Sequence, residues 1–70
     1  MSDHMIRSAL CGKLDGLIEL EKAGLGALAD VANNIRDQKF DGGREIALAI
    51  TKLEESLHRL HEVRDKLEPQ

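Results

Sequence analysis

The chain has 70 residues, a single cysteine and a single aromatic residue, Phe40, with neither Trp nor Tyr. That bounds it to one domain, excludes an internal disulfide, and denies a lone chain the large rings that fill a compact core. The formal net charge of -3, from 10 Lys+Arg against 13 Asp+Glu interspersed throughout, leaves no basic run for polymeric nucleic acid. No apolar stretch reaches the ~18 residues of a membrane span, and no signal-peptide pattern opens the chain.

In chain order, Met1-Ser2-Asp3-His4-Met5 carries two methionines and reads as an appended leader outside the fold, with Met5 the natural start. From about Ile6 to Lys39, Leu10, Leu14, Leu17, Ile18, Leu25, Leu28, Val31, Ala32 and Ile35 recur at helical spacing. Gly12 and Gly16 lie one turn apart and share a face that permits close helix approach. Gly24-Leu25-Gly26 is a place for a kink or for a split into two helices; one long helix, kinked or straight, is the expectation. Asp41-Gly42-Gly43 breaks the pattern, because consecutive glycines each cost about 1 kcal/mol in a helix. The turn is placed at 40–43.

A second helix is expected from about Arg44 to Glu68, stopped by Pro69. Ile46, Ile50, Leu53, Leu57, Leu60 and Leu67 make a coiled-coil-like seam, interrupted at Arg64, where Val63 is expected to cover the gap. Its first half, Ile46-Ala47-Leu48-Ala49-Ile50, is apolar all round, which one partner helix cannot bury. The expectation is therefore an all-α fold: an antiparallel helical hairpin, 1–70, assembling into a helical homo-oligomer.

Few residues invite chemistry. His58 and His61, with Glu54 and Glu62 nearby, have the spacing of a metal half-site, but no second His/Cys cluster completes it, and a polar helix face is the simpler reading. Cys11 has no attending His and acid in sequence, and reads as a small buried side chain. Glu54-Glu55 reads as solvated, with Glu55 able to pair with Arg59 four residues on. No residue set carries catalysis, so the chain reads as no enzyme, with no cofactor and no metal.

Gly42-Gly43-Arg44-Glu45 is more suggestive. It opens a helix, whose first N–H groups are unpaired and partially positive. Glycines let an anion approach, Arg44 adds a planar fork, Thr51 a hydroxyl, and Lys52 a second cation about two turns on. The simpler reading is a turn followed by an ordinary charged first turn.

Across the same residues, Gly43-Arg44-Glu45-Ile46-Ala47-Leu48-Ala49-Ile50-Thr51-Lys52-Leu53-Glu54-Glu55-Ser56 resembles the Ser-Arg-Glu…Ala-Ile-Thr-Lys-Leu-Glu-Glu-Ala run of phage helical-hairpin proteins. These are the anti-CBASS cyclic-nucleotide sponges and the related hairpin domain of anti-Thoeris sponges. Arg44, Glu45, Ala49, Ile50, Thr51, Lys52, Leu53, Glu54 and Glu55 are identical. Three features depart: no Tyr precedes the first helix, Gly43 replaces the capping Ser, and Leu57-His58-Arg59-Leu60 replaces a Trp-containing stretch.

The resemblance implies hexamers that sequester a cyclic oligonucleotide or related nucleotide signal in the bacterial host cytoplasm without cleaving it. It also implies a ligand pocket around the matched Arg44; with the helix-start reading, the expected ligand-binding residues are Gly43, Arg44, Thr51 and Lys52. The alternative is a helical module that inhibits or scaffolds another protein.

Overall fold

The computed structural model describes residues 2–68. Two helices, α1 (Asp3–Gln38) and α2 (Gly43–Leu67), fold back on each other as a hairpin. No strand occurs among the described residues. Arg7 donates to the Lys66 carbonyl at one end, Ser56 to Glu21 midway, and Ile35 packs against Gly42 and Gly43 at the turn, so the helices run antiparallel.

The first helix begins earlier than expected. Ser2 caps it, its hydroxyl accepting from the Met5 N–H at 3.2 Å. Asp3 then pairs with Arg7 at 2.8 Å. Residues Asp3 to Met5 therefore belong to the fold, because Ser-Asp is a good helix start wherever it stands. Pro69 lies outside the described residues.

α1 is continuous through Gly24 and Gly26. Only Gly24 meets α2, since a Cβ there would touch Leu53 Cδ2 at 3.4 Å. The close approach expected at Gly12 and Gly16 does not occur within the hairpin.

The chain leaves α1 through Lys39, which adopts the left-handed conformation at φ 56°, ψ 39°. Its N–H donates to the Arg36 carbonyl, and the Phe40 N–H reaches back to Ile35 at 2.9 Å. These paired bonds satisfy carbonyls that the helix end would otherwise orphan. Gly42, at φ 111°, makes the second bend, and its carbonyl accepts from Ile46 to start α2. The turn is thus 39–42, one residue earlier than the sequence suggests.

Between the helices runs one seam. From α1 it takes Arg7, Cys11, Leu14, Ile18, Glu21, Leu25, Leu28, Ala32 and Ile35, in strictly alternating steps of four and three. From α2 it takes Ile46, Ile50, Leu53, Leu57, Leu60, Arg64 and Leu67, in the same steps. Among the described residues only Cys11 and Ile18 are buried, at 6% and 4% exposure.

Arg64 sits within the seam rather than interrupting it. Its guanidinium forms a bidentate pair with Asp15, while Val63 stays 44% exposed and does not cover the position. A long side chain can bury its stem and keep its charged head at the edge, so the heptad survives an arginine. Arg59 pairs with Glu62 at 3.0 Å, and Glu55 with Lys52 at 3.9 Å, in place of the Glu55–Arg59 pair suggested by spacing.

Candidate functional site

The hairpin tip gathers the residues with most chemical potential. Ile35, Ile46 and Ile50, with Ala32 and Ala47, floor an open notch of about 400 Å³, and Arg36, Lys39, Phe40 and Gly43 complete its lining. The heptad places these residues together. Ala32, Ile35 and Lys39 follow the α1 seam to its end, and Gly43, Ile46 and Ile50 begin the α2 seam. The turn between them leaves the last seam layer open on one side.

Phe40, the sole aromatic, is 65% exposed here. Its position is set by the left-handed residue before it, which turns the chain away from α1. Arg36 pairs loosely with Asp37 at 3.5 Å, and the Lys39 ammonium makes no ion pair among the described residues. The tip therefore combines an apolar floor, an exposed ring and two cations, flanked by Asp37, Asp41 and Glu45.

The N-terminus of α2 opens beside this notch. Gly42 offers no side-chain cap, so the N–H groups of Gly43, Arg44 and Glu45 have no partner from the preceding turn. Of the expected site residues, Gly43 lines the notch directly. Arg44 is exposed on the adjoining strip of α2, with no ion pair among the described residues.

Thr51 lies two turns further along that strip. Its hydroxyl is engaged, donating to the Ala47 carbonyl at 3.1 Å. Lys52 is a further ~100° round the helix, away from the notch, and pairs with Glu55. The four residues are thus split: Gly43 and Arg44 belong to the tip, Thr51 borders it, and Lys52 does not face it.

Arg36, Lys39 and Phe40 escaped the sequence reading. They precede the glycine turn, whereas the signals of a helix-start anion site all lie on its C-terminal side. The available signal was a basic last helical turn beside the chain's one aromatic residue.

Elsewhere, His58 Nε2 lies 3.1 Å from Glu62, which also holds Arg59. Asp15 is held below its ordinary carboxyl range by the hydrogen bond from Arg64, aided by the charges of Arg64 and His61 and opposed by desolvation. The Arg64 guanidinium is correspondingly pushed up by Asp15. This pair joins the two helices, which suits a structural role.

No helix among the described residues is long and apolar enough to cross a membrane. Compared with family models, curated proteins and solved structures, the chain gives no match.

Proposed function

We propose that the chain is a non-enzymatic sponge that binds and holds a cyclic oligonucleotide or related nucleotide signal of bacterial anti-phage immunity, acting as a homo-oligomer in the host cytoplasm. The observation that carries this reading is the hairpin tip. There an uncapped helix N-terminus, Arg36 and Lys39 surround an apolar notch with one exposed aromatic ring, and Arg44 stands on the adjoining strip of α2. Helix amides and guanidinium forks suit phosphate oxygens, and a ring with an apolar floor suits a base. The resemblance of Gly43–Ser56 to the phage sponges points the same way, and Phe40 offers the stacking surface that the missing Tyr would otherwise supply.

The net charge of -3 opposes anion binding over the molecule as a whole. Grouping the tips of several copies around one ligand would overcome it locally, and the resemblance implies a hexamer for that purpose. The alternative, a helical module that inhibits or scaffolds another protein, draws on the apolar side chains that the hairpin leaves exposed.

Calorimetry with cyclic di- and trinucleotides and cyclic ADP-ribose isomers tests the proposal. Wild type binds at least one of them, and heating releases it chemically unchanged. Arg44→Ala loses roughly 1.5–3 kcal/mol per contact with helicity intact, as expected for a charge-assisted bond. Arg44→Lys is also weaker, because a point charge cannot replace a bidentate fork. Binding of no panel member by the wild type favours the protein-interaction reading.

A further inference from the structure

α1 carries a second row of aliphatic side chains that α2 does not cover. Ile6, Leu10, Leu17, Leu20 and Val31 follow the seam's own rhythm one residue out of step with it, and all are exposed, Leu20 by 69%. Beside this ridge runs a groove. Ala9, Gly12, Gly16, Ala23 and Gly26 keep the same rhythm further round the helix. A Cβ at Gly12, Gly16 or Gly26 would meet no heavy atom within 4 Å. Nothing inside the hairpin uses those gaps, although each glycine weakens the helix it interrupts.

The size of the uncovered surface is informative. The chain exposes 5391 Å², whereas a compact monomer of its mass exposes roughly 4,400 Å². The difference is of the order that one partner contributes to a standard interface, about 800 Å².

Ridge and groove lie side by side on one helix, so the face is complementary to a second copy of itself turned about a two-fold axis. We infer that two copies pair through α1, antiparallel, with the axis at Gly16. In this register Ile6 stands at the level of the second copy's Gly26, and Leu20 at the level of its Gly12. Ala9 meets Ala23, and Lys13 meets Glu19. Ile6 and Leu20 thus face glycines and a cation faces an anion, while Leu10 and Leu17 stand at the levels of Lys22 and Asp15. Glu19, which holds Lys22 at 3.5 Å within its own helix, lies within reach of both. The inference rests on α1 alone and is independent of the nucleotide reading.

Sedimentation equilibrium and cysteine cross-linking of the full chain test it. Wild type sediments as an even multiple of 7.8 kDa. Gly16→Leu and Leu20→Glu each at least halve the native mass with helical circular dichroism retained, since a side chain at position 16 has free space within the hairpin. In a Cys11→Ser background, Gly16→Cys oxidises to a covalent dimer. Ile6→Cys alone does not, but an equimolar mixture of Ile6→Cys and Gly26→Cys does. A monomeric wild type, unchanged mass in both interface variants, or self-cross-linking of Ile6→Cys would overturn the inference.

Discussion

At the scale of single residues, the turn holds the clearest imbalance. Lys39 occupies the left-handed region, where a side chain costs about 1–2 kcal/mol. Lys39→Gly removes that cost but loosens the unfolded chain, so a net gain of about 0.5–1 kcal/mol is expected in urea unfolding. Gly42→Ala has the opposite sign. At φ 111° a Cβ is strained even though it would meet Ile35 Cδ1 only at an ordinary contact distance of 3.7 Å, and a loss of about 1 kcal/mol or more is expected.

Asp15 gives a pH signature. Its folded pKa is depressed below 3.8, so its pairing with Arg64 stabilises the fold above that value. The contribution is lost as pH falls through the depressed folded value. Asp15→Asn should therefore be less stable than wild type at neutral pH, and the difference should vanish on the acid side. A difference that persists at low pH would assign the effect to packing.

At the scale of the helices, the seam is mostly aliphatic, and its polar members are informative. Glu21 places one carboxylate oxygen on the Ser56 hydroxyl at 2.9 Å and buries the other without a hydrogen-bond partner. Such a group costs stability, and it also penalises any other alignment of the two helices. Glu21→Leu is expected to raise the urea midpoint, by about 1 kcal/mol or more in free energy. Ser56→Ala, which strands the carboxylate, is expected to cost about 1–3 kcal/mol.

The spacing of α1 was legible in sequence, but its facing was not. Cys11, Leu14, Ile18, Leu25, Leu28, Ala32 and Ile35 pack on α2, whereas Leu10, Leu17 and Val31 do not. Both rows follow steps of three and four, so periodicity alone identifies a helix with a wide apolar face without choosing the row that meets its partner. On α2 only one such row exists, and there the sequence pattern and the packing coincide, apart from Arg64.

At the scale of the molecule, the hairpin is a rod of 55 × 15 × 14 Å. Its radius of gyration is 16.3 Å, against roughly 11 Å for a compact chain of this length. One seam between two helices buries only Cys11 and Ile18 among the described residues, and neither completely, which is little with which to offset chain entropy. Stability should therefore come in part from association. The melting temperature should rise with protein concentration over a hundredfold range, as mass action requires when the folded state is oligomeric. A concentration-independent melt would mean that the single hairpin is stable by itself.

The sequence by itself determined the two helices, the glycine turn between them and the seam of α2. Those features depend on neighbours in the chain: propensity, capping and a period of three and four residues. Only the tertiary structure decided which row of α1 faces α2, that Arg64 belongs to the seam, and that Arg36, Lys39 and Phe40 stand around the notch beside Gly43. Each of these depends on how two helices are rotated about their axes when they meet. That rotation is fixed by the best joint packing of both surfaces, a quantity that neither helix carries alone.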